Sequence, residues 1–447
     1  MKQANRTRRA EVCRRSGALA VALLLTAAWP ARSEAYAVLA HEAIIDVVWK
    51  DQLRPLLLKR YPSATGEELK VAHGYVYGGA IIQDMGYYPH GSHFFSDLTH
   101  YVRSGDFIEA MLRDARDLNE YAFALGALSH YAADCDGHRI GVNPSVPILY
   151  PKLEAKYGSP ITYEQDPLAH IKTEFGFDVT EVAKNHYAPD AYHDFIGFGV
   201  SERVLEQAFE ETYGVPLKKV LPDEEKALGS YRRAVSKQIP KATRIAWSLK
   251  EDEIKTDVPG MTKRRFLYNL SRASYERQWG KDYQKPSFME RFLAFLWKLV
   301  PKFGPLKVLE FKTPTPRTEQ MFEASFNAVI ARYDHLLGDV SEDKLNLAND
   351  NFDTGEKTAP GVYFMSDDAH AKLLDLLAEE HFAGASAELR TVMIEFYSHP
   401  NAAYSTKKKP KEWAKVQAEV EQWKATAALA NTGEDGAARV LGAEPKF

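Results

Sequence analysis

Residues 126–138 read Gly-Ala-Leu-Ser-His-Tyr-Ala-Ala-Asp-Cys-Asp-Gly-His. His130 and Asp134 stand four residues apart, and His138 follows four residues later. In an α-helix that spacing puts side chains one turn apart on a single face. The preceding run Tyr121–Leu128 is apolar on more than one face, as a helix inside a bundle would be. His170-Ile-Lys-Thr-Glu174 repeats the device. Its helix opens at Asp166-Pro167, a cap residue followed by proline in the first turn, and should run to about Asn185. Helical periodicity dominates the remaining chain and strand-like alternation is scarce, so the fold class is all-α.

A single His-x-x-x-Asp pair is common and usually marks a capped or exposed pair. Two such pairs with His138 within forty-five residues form a set of metal donors. Eight of the fourteen histidines fall between residues 41 and 170. Imidazole and carboxylate donors together suit zinc. His130, Asp134, His138, His170 and Glu174 exceed what one zinc takes, so the pattern predicts more than one ion. Upstream candidates are His41 and Asp84, with one or more of His90, His93 and His100. Outward from this set, Tyr36–Lys59 reads as an apolar helix beginning near His41, and Lys70–Gln83 as a second, glycine-softened one. Residues 84–99 read as a turn-rich loop carrying exposed-looking aromatics at Tyr87, Tyr88, Phe94 and Phe95. Asp106 is expected to cap one long helical region that continues to Asp134 and stops at Gly137.

The order His41, Asp84, His100, His130-x-x-x-Asp134-x-x-x-His138, His170-x-x-x-Glu174 resembles the zinc-dependent phospholipase C family. Fungal single-strand nucleases and the amino-terminal domain of glycosylphosphatidylinositol-specific phospholipase D share its helical fold. The resemblance covers roughly residues 36–190. It implies a multi-helix bundle and three zinc ions. One would be held by Asp84, His100, His130 and Asp134, with His100 rather than His93 assigned on its spacing from Asp84. A second would take His138, His170 and Glu174. The third would use His41 and the amine and carbonyl of an amino-terminal Tyr36, with Asp134 as a bridge. The family uses tryptophan at that terminus, but the ligand atoms are backbone atoms. The resemblance further implies that His73 and His90 are core or surface histidines. It makes phosphorus the electrophile, with Asp84 both ligating zinc and orienting the attacking water.

The chain has 447 residues and a formal net charge of −4. A basic start, an apolar run Ala18–Ala28 and Ser33-Glu34-Ala35 read as a signal peptide over residues 1–35, giving a secreted or periplasmic protein that begins at Tyr36. Without that segment 50 Lys+Arg face 59 Asp+Glu, an acidic balance that argues against a stable nucleic-acid partner. Of the two cysteines, Cys135 alone would remain, so no intrachain disulfide is expected. A catalytic unit over 36–215 is expected, followed by a helical carboxy-terminal region, 216–447, whose role the sequence does not disclose. Within that region Asn349–Gly355 reads as a solvated polar turn, lacking the spacing of a calcium loop. Phe288–Val300 reads as a buried helix, or else as a segment lying on a membrane surface.

The expected activity is zinc-dependent hydrolysis of a phosphodiester, phospholipid first, with peripheral membrane contact. Two other readings use the same residues. One is a single-strand nuclease or nucleotidase; the other is a non-catalytic surface-binding protein stabilised by zinc.

Overall fold

A computed structural model of the chain describes residues 37–184, 186, 198–257 and 308–440. The expected signal segment, Tyr36 and Phe288–Val300 lie outside the described residues. Among the described residues the protein is all-α, with strands limited to one two-residue antiparallel pair.

The helices that build the site are α1 (Val38–Val48), α2 (Gly66–Gly79), α3 (His93–Tyr101), α4 (Leu118–Asp136), α5 (Pro167–Ala183) and α6 (Pro316–Ser341). Helix α4 is the central one, buried without a break from Glu120 to Asp136. It starts where Asp117 accepts hydrogen bonds from the Asn119 and Glu120 amides, both at 2.9 Å, satisfying donors that a helix leaves open at its first turn. Helix α2 lies directly on it. A Cβ on Gly79 would fall 1.9 Å from the Phe123 carbonyl oxygen, and one on Gly126 would fall 2.1 Å from that of Val76. Only glycine permits this approach, and it brings the chain leaving α2 up to His130.

At Gly137 the helix does not stop. The backbone widens into a π-helical turn, Gly137–Val142, that carries His138 before a further helical turn begins at Asn143. Such insertions re-aim one side chain without ending the helix and recur at functional sites. Upstream, the long region expected from Asp106 is two helices, Ser104–Asp114 and α4, separated by an extended Ala115. Residues expected as loop form a short 3₁₀ helix, Ile82–Tyr87, and then α3. The turn residues end at Gly91, and beyond it Phe95, Leu98 and Thr99 bury one face of a helix. Helix α5 begins as expected, with the Asp166 side chain accepting from the Ala169 amide at 2.9 Å.

One hydrophobic core runs from Val38 to Trp423 and includes Phe322, Phe326, Val329, Tyr333 and Leu337 of α6. Tyr333 donates its hydroxyl to the Leu125 carbonyl of α4 at 2.8 Å. The expected solvated turn after Asn349 is instead a buried hairpin. Strands β1 (Asp350–Asn351) and β2 (Glu356–Lys357) pair across it, and Asp350, Asn351 and Asp353 are buried. These polar groups find partners inside the protein, such as the Tyr131 hydroxyl for Asp350, which periodicity in the local sequence does not reveal.

Candidate metal centre

Asp84 leaves the 3₁₀ helix behind α2, His100 sits in the last turn of α3, and His130 and Asp134 share one face of α4. Their side chains converge on one point. His100 Nε2 lies 3.3 Å from Asp84 Oδ1, 3.5 Å from Asp134 Oδ2 and 3.4 Å from His130 Nε2. His130 Nε2 lies 3.1 Å from Asp134 Oδ2 and 3.9 Å from Asp84 Oδ1. Four ligands at about 2.0–2.1 Å from a tetrahedral zinc stand roughly 3.3 Å apart, so these separations fit one ion. The outer ring nitrogens fit as well. His130 Nδ1 pairs with the Ala80 carbonyl at 2.9 Å and His100 Nδ1 with that of Ser96 at 2.8 Å. Each Nδ1 is therefore the donor, and each Nε2 faces inward as the atom that a metal would take.

A second group joins α5 to the π turn. His170 Nε2 lies 2.8 Å from Glu174 Oε1, and His138 Nε2 lies 3.3 Å from the same oxygen. A third joins α1 to α4. His41 Nε2 lies 3.6 Å from Asp134 Oδ1, and the His41 and His130 rings stack at 4.7 Å. Each group has three residues whose ligand atoms lie within 4.8 Å of one another. His130 is common to the first and third groups, Asp134 reaches both through His100 and His41, and all the residues are buried.

Three carboxylates in so dry a place require positive charge. Burial would push Asp134 up, but His130, His138 and hydrogen bonds from His100 and His130 hold it well below the usual carboxylate range. Burial raises Asp84, only partly opposed by His130 and His100. Burial lowers His100, yet hydrogen bonding to Asp134 and Asp84 overrides it and lifts the ring to about 10. His41 and His170 are driven well below the ordinary histidine value by burial, reinforced by His130 and His138 respectively. Neutral imidazoles beside ionised carboxylates are what a divalent cation binds, displacing the proton that His100 otherwise keeps.

Every metal candidate of the first choice within the described residues is thus in one of three groups. His100 stands beside Asp84, whereas His93 and His90 are exposed. His73 is a core residue, stacked on Trp49 at 3.8 Å and 3.3 Å from Asp46. The aromatics taken as exposed are mostly buried: Phe95 packs on Phe209, and Tyr88 packs edge-on against Tyr231. Tyr87 lies beside the centre, its ring 6.1 Å from His100 and 6.5 Å from Tyr163, which in turn meets His170 at 5.5 Å. Sequence reasoning missed Phe352 and Asp353. Phe352 packs on His100 and His130, and Asp353 approaches His138. The only local signal was the density of polar turn residues around them.

The fold and the site together define a class: an all-α protein whose central helix and its neighbours gather linked histidine–carboxylate groups able to hold metal ions. Residues 40–222 match the family model described as zinc dependent phospholipase C. That match and the three groups of metal donors support a zinc-dependent hydrolase. No curated protein and no solved structure matches the chain.

Proposed function

We propose that the protein is an exported phospholipase C-type enzyme that uses water to cleave a phospholipid on the glycerol side of phosphorus, leaving diacylglycerol and a phosphorylated head group. The observation that carries this reading is the linkage of two metal groups through His130, with Asp134 facing both, inside a segment that the zinc-dependent phospholipase C family model matches. Three zinc ions are assigned: one to Asp84, His100, His130 and Asp134, one to His138, His170 and Glu174, and one to His41 with Asp134 and the terminal amine and carbonyl of Tyr36. Export and cleavage after Ala35 belong to the same reading, because the third site needs that free amine.

When bound, zinc supplies Lewis acidity, brings the pKa of water to about 7 and offsets the charge of a phosphodiester. The chain supplies the rest. Asp84 accepts a hydrogen bond from the attacking water and orients it. Asp134 holds α1 and α4 in one electrostatic unit. Tyr87 and Tyr163 form an aromatic row between His100 and His170 that excludes bulk water and offers an apolar wall to the substrate. Contact with the lipid surface is assigned to Val362 and Phe364, which are 66% and 41% exposed. They flank Tyr363, whose hydroxyl reaches Asp353 beside His138, and Lys408 Nζ lies 3.6 Å over the Phe364 ring.

The test is a substrate panel given to the purified mature protein with zinc: phospholipid vesicles, nucleotides and single-stranded DNA. Zinc-dependent release of diacylglycerol supports the reading. Hydrolysis of nucleic acid alone would replace it with a nuclease, and metal binding without hydrolysis would leave a zinc-stabilised binding protein.

A further inference from the structure

Two buried polar atoms at the edge of the centre have only each other. His138 Nδ1 and Asp353 Oδ1 approach to 3.4 Å, and neither makes a hydrogen bond elsewhere. That distance is a few tenths of an ångström beyond an ordinary N–H···O bond, which a small ring movement closes. On its far side, His138 Nε2 faces Glu174 of the second metal group.

Asp353 has little freedom to move away. Its Oδ2 accepts the Tyr163 amide at 2.9 Å and the Tyr363 hydroxyl at 2.8 Å, and its carbonyl accepts Asn143 Nδ2 at 2.7 Å. The hairpin that carries it is clamped on the site at both ends. The Phe352 amide donates to the His100 carbonyl at 3.2 Å. Gly355, at φ 65°, lies so close to α4 that a Cβ would fall 2.2 Å from the Cys135 carbonyl oxygen. His100 and His130 direct Nδ1 to backbone carbonyls, whereas His138 directs its own to a carboxylate. A carboxylate acceptor fixes the tautomer and makes the opposite nitrogen a better donor to metal.

We propose that Asp353 is a positioning residue of the metal centre, accepting the proton of His138 Nδ1 so that Nε2 keeps its lone pair towards Glu174 and His170. The carboxy-terminal half then completes a site whose family-matched residues end at 222. The inference rests on the zinc reading of the His138 group.

Asp353→Asn separates this role from scaffolding. Its amide oxygen can still accept from Tyr163 and Tyr363, but its NH₂ then faces His138 Nδ1. That favours the tautomer with hydrogen on Nε2, which cannot bind metal. Apo full-length protein is titrated with zinc against a chromophoric chelator, and its melting is followed by circular dichroism. The expected result is an apo melting temperature close to wild type, with one class of zinc sites weakened about 10–100-fold. Tyr363→Phe, which removes an anchor but not the acceptor, should lose much less. Zinc affinity of Asp353→Asn equal to wild type, or matched by the loss in Tyr363→Phe, overturns the inference. Nitrogen-15 histidine spectra of the wild type give an independent check should the variant not fold: hydrogen on His138 Nδ1 is expected, and hydrogen on Nε2 alone contradicts it. A wild-type chain that binds no zinc would overturn the zinc reading itself, and this inference with it.

Discussion

Asp178 Oδ2 accepts the backbone amide of Leu39 at 3.1 Å. Asp178 lies one turn beyond Glu174 on α5, and Leu39 lies two residues before His41 on α1. The helix that carries the second metal group therefore also caps the helix that carries the third.

Asp178→Ala removes that cap and leaves a buried amide without its acceptor, which costs about 1–3 kcal/mol. A drop in melting temperature with weaker zinc binding at the His41 position is expected, the other two groups keeping theirs. Calorimetry with a zinc titration checks both. Unchanged melting would show that the contact does not hold α1.

Asp134→Asn should be the most damaging single change among the donors. Asp134 faces His130 at 3.1 Å and His41 at 3.6 Å with different oxygens, so its charge serves two groups. Changes behind a ligand already cost about 10–100-fold, so a loss beyond about 100-fold in turnover is expected, with less than the full complement of zinc. Elemental analysis beside turnover measurements decides it. Full metal and full turnover would remove the bridging role.

The lipid contact predicts a split between substrates. Val362→Asp with Phe364→Asp should reduce hydrolysis of vesicles by roughly tenfold or more, since burying each such side chain is worth about 1.5–3 kcal/mol. Hydrolysis of short-chain, monomeric phospholipid should stay near wild type. Equal losses on both would place these residues in folding or in the site instead.

His370 predicts an acid-sensitive term in stability away from the metal groups. Burial lowers its pKa from an ordinary 6.5 to about 4, against a smaller opposing effect from Ser366. It is packed on Phe396 at 3.6 Å, with Nδ1 donating to the Ser366 carbonyl at 2.8 Å. The unfolded chain takes up a proton as pH falls below 6.5, while the folded chain does not until about 4. Stability is therefore complete above 6.5 and lost as pH falls between those values, by roughly 3 kcal/mol at most. Denaturant melts of wild type and His370→Gln at pH 7 and pH 4 should show the smaller acid loss in the variant. Equal acid losses would contradict the account.

Much of this molecule was legible in its sequence because its chemistry is periodic. His130, Asp134 and His138 declare a helix face by spacing alone, and His170 with Glu174 declares a second. The π turn at Gly137–Val142 was not legible, since glycine in a helical pattern suggests a stop and only tertiary packing sustains the wider turn. Helix α3 was hidden by the glycines and proline before it. The hairpin around Asp353 was hidden for a different reason. Its polar residues look like a solvated turn locally, and their partners Tyr163, Asn143, His138 and His100 lie about 190 to 250 residues earlier in the chain. Its relation to the centre is entirely long-range.

The central claim is that three groups, two of them sharing His130, hold zinc in the mature protein. Anomalous scattering recorded at the zinc edge, from crystals of protein prepared to begin at Tyr36, tests it most directly. The account predicts peaks within the Asp84–His100–His130–Asp134 group, the His138–His170–Glu174 group and between His41 and Asp134. Absence of zinc from these positions, or a single ion in one group alone, would contradict it.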